Sequence, residues 1–361
     1  MSFLEKLSLP VKERELLARH SSLGVGGVAD YYVEARTVQE LLAVLAAAKE
    51  AGLAFFILGE GSNILFSDEG FRGVVIRYVA RNLTVTESTA TATKVVAEAA
   101  VSWDAFVAFC VERGLAGVEC LSGIPGTVGA APVQNIGAYG QEVSASIETV
   151  EALAIEDGKV VKFSVPECGF GYRTSNFKKW KNGYVILSVA FLLKKNATGF
   201  VAYEQLKKFL DEKKQKPSLS AVRNAVLSLR RAKAMLLSPD EPFSKSVGSF
   251  FTNPILDSNS ADALNEQLKE AGLELVTWPA GDCKVKLSAA WLIEHAGFNR
   301  GYQRGSVGIS PKQALALVNL GSASSAELVS LAKDIQMAVK NRFGIQLEAE
   351  AYFVGFSSPP L

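Results

Sequence analysis

Histidine is nearly absent from this 361-residue chain, with only His20 and His295 present. A histidine-based zinc site and a serine-hydrolase triad both need imidazole, so the scarcity argues against either, and no metal is expected. Cysteine is sparse too. Cys110, Cys120, Cys168 and Cys283 show no C-x-x-C spacing. They read as reduced, buried thiols of a cytoplasmic protein. Neither sign of charge dominates: 38 Lys and Arg face 37 Asp and Glu, a net charge of +1. That balance leaves no global field for nucleic acid or an anionic membrane. The longest helix-like apolar run, Leu41–Ala48, is too short to span a bilayer. The opening MSFLEKLSLPVKEREL also lacks the uninterrupted apolar core of a secretory signal. No internal repeat or low-complexity segment is visible. What remains is a globular composition, 48% apolar and 21% charged, in a chain long enough to expect two or three domains.

The chain does have glycine, and concentrates it. Ser122–Glu142, SGIPGTVGAAPVQNIGAYGQE, holds five glycines (Gly123, Gly126, Gly129, Gly137, Gly140) in twenty-one residues, about three times the average usage near 7%. Pro125, Pro132, Gln134, Asn135 and Tyr139 accompany them, and Glu142 is the single charge. Mobile linkers are usually rich in serine and charge, whereas this segment interleaves glycine with Val, Ile and Pro. It reads as a cradle in which backbone amides approach a ligand closely. A second cluster, Gly59-Glu60-Gly61-Ser62-Asn63, follows the apolar strand Ala54–Leu58. No helix follows and no Gly-Lys-Ser/Thr occurs, so neither a Rossmann fingerprint nor a P-loop fits. A nest of backbone N–H groups, aided by Ser62 and Asn63, still suits a phosphate, and a plain tight turn is the other reading.

Thr37 and Glu40 head a helix with Leu41, Leu42, Val44, Leu45 and Ala48 inward, and Gly52 is placed to end it. Strands are expected at Val74–Tyr78, Val95–Ala99 and Tyr184–Leu193, and a hairpin at Val150–Ile155 with Val160–Phe163. Trp103–Gly114 reads as a helix, and the lysine-rich run Lys207–Lys216 as a solvated helix face. Ser220–Leu236 reads as the next helix, and beyond it the pattern predicts helices at Ala261–Ala271, Ala289–Ala296, Pro311–Asn319 and Ser325–Arg342. Strands are expected at Ser249–Phe251 and Leu273–Val276, with Ile345–Val354 closing the chain. The expected division is 1–80, 81–219 and 220–344, with 345–361 returning to one of the earlier regions.

GEGSNILF followed by GIPGTVGAAPVQNIGAYG resembles the UDP-N-acetylenolpyruvoylglucosamine reductases, FAD-dependent enzymes of peptidoglycan precursor synthesis. The resemblance continues in order through His20-Ser21-Ser22, Tyr172–Lys178 (YRTSNFK), Arg230–Lys233 (RRAK), Gly248–Pro254 (GSFFTNP), Lys286–Ile293 (KLSAAWLI) and Leu347–Glu350 (LEAE). It implies an α+β, three-domain flavoenzyme. Two N-terminal domains would form an FAD-binding fold of the vanillyl-alcohol-oxidase type, joined by a smaller α/β substrate-binding domain. It also implies a monomer with non-covalent FAD and NADPH as co-substrate.

The same resemblance implies residue roles. Arg173 would bind the enolpyruvyl carboxylate as a bidentate fork, with Glu350 polarising the same group and Ser249 donating a proton to the α-carbon. Gly59, Glu60, Gly61, Ser62 and Asn63 would meet the FAD pyrophosphate. Gly123, Pro125, Gly126, Gly129, Gln134, Asn135, Gly137 and Tyr139 would close over the flavin and its phosphates. Tyr203, Arg230, Lys233, Asn253, Lys286 and Gln313 would hold the UDP-sugar, Tyr203 on a loop that folds over it. Taken singly, each of these residues has an ordinary reading as a surface ion pair, a cap or an exposed charge.

The chain departs from the family pattern at Thr174, where Asp is common, at Ala349, where Pro is common, and at Thr252, where Lys is frequent. Ala130 and Ala131 replace small hydroxyl residues found in some members. None of these is one of the three catalytic candidates. Two other readings stand beside this one: an FAD-linked oxidase of a sugar or hydroxy acid, and a non-catalytic flavin- or nucleotide-sugar-binding module.

Overall fold

The computed structural model describes residues 3–270 and 272–361. Of the expected elements, only the end of the Ala261–Ala271 helix, at Ala271, falls outside them. The chain forms two compact units from interleaved segments. One comprises Met1–Glu15, Val28–Gly61 and Phe71–Leu236; the other comprises Leu16–Gly27, Ser62–Gly70 and Leu237–Leu361.

Two larger sheets build the first unit, beside a short ribbon in which Gly137–Ala138 pairs with Gln141–Glu142. Val28–Ala35 and Phe55–Ile57 both run parallel to Phe71–Tyr78, which lies between them. The connecting helix Val38–Glu50 starts where Thr37 accepts the Glu40 amide at 3.1 Å. Its buried face (Leu41, Val44, Leu45, Ala47, Ala48) packs with Val33, Val74 and Ile76. The second sheet is antiparallel, centred on Tyr184–Lys195. That strand pairs with Ile147–Ala154 on one side and Ala92–Glu98 on the other. The expected hairpin is present, Ile147–Ala154 pairing with Val160–Ser164. Beneath this sheet, helix Trp103–Glu112 buries Trp103 and Phe106 against Phe191, the Phe106 and Phe191 rings 4.4 Å apart. The glycine-rich segment follows from that helix and is anchored to its start: Trp103 N–H donates to the Gly126 carbonyl, and Gly129 N–H to the Ala99 carbonyl. Of the lysine-rich run, only Lys207 and Lys208 lie on the helix Glu204–Glu212; Lys213, Lys214 and Lys216 follow its end and are exposed.

In the second unit, Ser325–Phe343 is the longest helix among the described residues, opened by a Ser324/Glu327 capping box and stopped by Gly344 at φ +70°. Asp68 adds a cap, its two carboxylate oxygens accepting the Ser325 and Ala326 amides. A negative group there is favoured by the helix dipole and by the unpaired first-turn amides. The core gathers Phe250, Phe251, Leu292, Ile309, Leu317, Leu331 and Ile335.

Pro311–Asn319, expected to be helical, is a strand instead: Gln313–Asn319 pairs antiparallel with Val307–Ser310. Its residues Ala314–Val318 are all apolar and buried, so the run is apolar on both faces. Such a run suits a covered strand as well as a buried helix, and the partner strand decides. Leu273–Val276 is irregular, and the strand begins only after it, at Thr277–Pro279. Ser249–Phe251 and most of Ile345–Val354 are not regular strands; only Tyr352–Val354 is, paired parallel with Ile64–Phe66. Between them a single bridge joins Phe251 to Ala349.

Candidate active site

The two glycine clusters of the first unit meet. A methyl group built on Gly59 would lie 3.7 Å from both Thr127 Oγ1 and Ala130 Cβ, so small groups face each other where the loops approach. Burial raises the Glu60 carboxyl above its ordinary value, while Arg77, Arg81 and the Gly126 amide pull it back. Two glycine loops with small facing side chains and a carboxyl whose charge is disfavoured make a donor set suited to a dinucleotide pyrophosphate. Gly123 opens the longer loop at φ +71°, and a Cβ there would fall 2.6 Å from Leu236 and 2.8 Å from Leu227. Only glycine meets both conditions.

Gly123 is gripped from two sides by residues that sequence reasoning either missed or read differently. Asp104 accepts its amide at 2.6 Å and forms a two-pronged pair with Arg223, at 2.6 and 2.9 Å. Burial acts to raise the Asp104 carboxyl, but Arg223 and the Gly123 amide outweigh it and hold it below the usual range. Arg230 donates its Nε–H to the Gly123 carbonyl at 3.1 Å and its Nη2 to the Met235 carbonyl at 2.9 Å. It is only 7% exposed. Arg230, expected at the UDP-sugar, thus also braces the glycine loop. Asp104 gave little warning in the sequence, since an acid in a helix's first turn has an ordinary dipole reading.

Arg173 lies in a tight turn. The Thr174 amide donates to the Gly171 carbonyl, and the Gly171 amide to the Thr174 carbonyl. Arg173 occupies the third position with φ +52°, where glycine or asparagine is the usual residue. Its Nη2 donates to the Gly137 carbonyl at 2.8 Å, and its own carbonyl accepts the Lys178 ammonium at 3.1 Å. A Cβ on Gly137 would fall 3.1 Å from the guanidinium. The Asn135 side-chain amide donates to the Gly171 carbonyl at 3.1 Å and to Glu142 at 2.8 Å, tying turn and loop together.

Further along the glycine loop, the Tyr139 ring meets Tyr203 edge to face at 5.5 Å, and the Lys233 ammonium lies 5.9 Å from the Tyr139 ring centre. Lys233 donates to Gln205 at 2.8 Å. Burial, and then the charge of Arg230, push the Lys233 ammonium below its ordinary pKa. Burial raises the Tyr139 phenol to about 12. Two desolvated cations beside tyrosines form a setting in which an anion is welcome.

The second unit holds Ser62, Asn63, Ser249, Asn253, Lys286, Gln313 and Glu350. The Phe251–Ala349 bridge is flanked by the Glu350 amide donating to the Phe250 carbonyl at 2.8 Å and the Thr252 amide to the Glu348 carbonyl at 2.9 Å. This register sets Phe250 opposite Glu350 and Ser249 opposite Ala351. The Phe250 amide bonds to the Leu315 carbonyl, two residues from Gln313. Asn253 has a local task, its Oδ1 accepting the Ala289 amide at the head of helix Ala289–His295 at 3.0 Å. Lys286 pairs across strands with Ile255 on one side and Trp278 on the other. Among the described residues no group of His, Cys, Asp and Glu is arranged to hold a metal ion, and no helix is long and apolar enough to cross a membrane.

Residues 29–164 match the FAD binding domain family, and residues 239–354 match UDP-N-acetylenolpyruvoylglucosamine reductase, C-terminal domain. The UDP-N-acetylenolpyruvoylglucosamine reductase of Thermobifida fusca is 43% identical over 345 residues, covering 94% of this chain and 96% of its own length. That of Pseudomonas aeruginosa is 37% identical over 345 residues, covering 95% and 99%. The crystal structure of the reductase from Thermus caldophilus has a TM-score of 0.66 at 25% identity, covering 96% of this chain and 99% of that one. The chain is thus an oxidoreductase with an FAD-binding domain, and it belongs to the UDP-N-acetylenolpyruvoylglucosamine reductase family.

Proposed function

We propose that this protein reduces UDP-N-acetylenolpyruvoylglucosamine to UDP-N-acetylmuramate for peptidoglycan synthesis, with NADPH as the electron source. FAD, held without a covalent bond, would supply the hydride chemistry between NADPH and the β-carbon of the enolpyruvyl group. Gly59–Asn63 and the Gly123–Tyr139 loop hold its pyrophosphate and isoalloxazine. Tyr203, Arg230, Lys233, Asn253, Lys286 and Gln313 hold the UDP-sugar, the lysines acting as point charges for its diphosphate.

The protein's own work is to stabilise charge and deliver a proton. As the β-carbon gains hydride, negative charge develops at the α-carbon and spreads into the neighbouring carboxylate. Arg173 binds that carboxylate through its planar fork, and Glu350 polarises it. Preorganised groups of this kind commonly contribute several kcal/mol to the barrier. The Ser249 hydroxyl gives its proton to the α-carbon, completing a net addition of hydride and proton across the double bond. A serine is a weak acid, so this step relies on the strongly basic carbanionic centre as its acceptor.

The observation that best supports this reading is the antiparallel pairing that runs the stretch bearing Ser249 alongside the stretch bearing Glu350. A proton donor and a carboxyl beside one substrate carbon suit reduction of an enol ether better than oxidation of an alcohol. The test is spectroscopic. The purified protein should be yellow, should bleach anaerobically with NADPH, and should recolour with UDP-N-acetylenolpyruvoylglucosamine. Ser249→Ala should bleach at nearly the normal rate and recolour about 10²–10⁴-fold more slowly, the usual weight of general acid catalysis. Equal slowing of both half-reactions would reassign Ser249 to the flavin site.

A further inference from the structure

Glu119 is a carboxylate only 1% exposed. Acidic side chains are almost never so buried unless satisfied by specific partners. Here the partners are backbone amides rather than a cation. Oε2 accepts the Gly117 N–H at 2.8 Å, and Oε1 accepts the N–H of Phe200, eighty-one residues away, at 2.9 Å. The next residue completes the hold: the Cys120 thiol donates to the Phe200 carbonyl at 3.2 Å. Consecutive side chains therefore grip both polar groups of one peptide residue. Cys120 is itself fixed, its amide bonded to Gln141 Oε1 at 2.9 Å.

The gripped residue lies at the foot of the segment bearing Tyr203. Just before it, the Gly199 amide donates to the Pro217 carbonyl at 2.7 Å. A Cβ at Gly199 would fall 2.5 Å from Val222. Just after it, the segment lies on the glycine loop: a Cβ on Gly140 would be 3.4 Å from the Phe200 ring and 3.6 Å from Ala202. Three residues on, Tyr203 meets Tyr139. Phe200 and Tyr203 are themselves exposed, at 41% and 36%. Between them Val201 packs against the cluster of Leu206 and Val222, and the bonds to Glu119 and Cys120 fix the Phe200 backbone itself.

We infer that Glu119, with Cys120, is a positioning device for the tyrosine segment, fixing Phe200 so that Tyr203 is presented to the UDP-sugar in one orientation. The inference rests on the reading of Tyr203 as a substrate-binding side chain. Charge-assisted bonds from backbone amides are the stronger kind, which suits a carboxylate to this task. Glutamine at 119 would offer one oxygen and one NH₂ group to two N–H donors, so one amide would lose its acceptor.

The experiment is a double-mutant cycle on the flavin-loaded, full-length enzyme, with hydrogen exchange of residues 200–203 as an independent readout. Glu119→Gln should raise KM for UDP-N-acetylenolpyruvoylglucosamine about tenfold, leave bleaching by NADPH within twofold, and speed exchange at residues 200–203. Cys120→Ala should act in the same direction but more weakly, about threefold, and serves if the Glu119 variant folds poorly. In a Tyr203→Ala background, either change should add less than twofold to KM, because both act through the same side chain. Multiplicative effects, or equal slowing of the NADPH half-reaction, would overturn the assignment and leave Glu119 as a structural residue. If Tyr203→Ala alone leaves KM unchanged, the substrate reading of Tyr203 fails. Exchange then decides the device alone: faster exchange in Glu119→Gln upholds it, unchanged exchange ends it.

Discussion

The side-chain amide of Asn63 donates to the backbone carbonyl of Glu350 at 3.0 Å, and the Asn63 carbonyl accepts the Tyr352 amide at 2.9 Å. One residue thus brackets the backbone on both sides of Ala351, and with it the stretch that carries the Glu350 carboxyl. Asn63 belongs to the GEGSN run expected to meet the FAD pyrophosphate, yet its side chain serves Glu350.

Asn63→Ala should therefore damage the second half-reaction more than flavin retention. A buried hydrogen bond of this kind is worth about 0.5–1.5 kcal/mol. Flavin content should stay near wild type, and reoxidation by the enolpyruvyl substrate should slow by about tenfold. Purification as largely flavin-free protein, with normal reoxidation in the loaded fraction, would return the side chain to the pyrophosphate.

Arg173 offers a test of stored strain. A non-glycine residue in the left-handed region costs on the order of 1–3 kcal/mol, and such costs cluster at functional sites. Arg173→Gly removes that cost and loses the bond to the Gly137 carbonyl. The two should nearly cancel, leaving Tm within a few degrees while turnover falls by more than about 10³-fold. A large drop in Tm would mean that the guanidinium mainly holds the turn together.

Lys233 supplies a pH prediction. Burial and the nearby Arg230 lower its folded pKa, so the unfolded chain binds the proton more tightly than the native one. Stability then rises with pH between the lowered native value and the ordinary lysine value, because the unfolded state holds more protons than the native state there. Lys233→Met should stabilise the substrate-free protein at neutral pH, an advantage that fades as pH climbs through the ordinary lysine range. The same variant should weaken binding of the UDP-sugar. Melting curves at a series of pH values check the first claim, and an advantage that grows with pH would contradict it.

The glycine loops, the capped Val38–Glu50 helix and the hairpin were legible because each carries a local signal: spacing, a cap or a turn. Gln313–Asn319 was not, since a run apolar at nearly every position has no period to read, and its strand character comes from Val307–Ser310. The membership of 16–27 and 62–70 in the second unit was equally hidden. It rests on distant pairings such as Phe66 with Val354 and Asn319 with the Leu23 carbonyl. Candidate site residues were legible by type and motif, while their partners were not. Arg230 reads as a cation for phosphate, but its bonds to two backbone carbonyls depend on where Gly123 and Met235 come to lie.

The charge argument has its own test in a pair of conservative changes. Arg173→Lys keeps the positive charge and loses the two-pronged fork, and Glu350→Gln keeps a donor and loses the titrating proton. If both groups act on one carboxylate, the interaction strengthens only as charge develops on it, so it belongs to the transition state more than to the bound substrate. Each variant should then bind UDP-N-acetylenolpyruvoylglucosamine within about tenfold of wild type, yet reoxidise with it far more slowly. The double variant should lose much less than the product of the two singles, because both changes weaken stabilisation of the same charge. Reduction by NADPH provides the internal control and should stay close to normal in all three. Losses that multiply strictly, or that appear only in substrate affinity, would leave Arg173 and Glu350 as binding residues and require another source for the stabilisation of that charge.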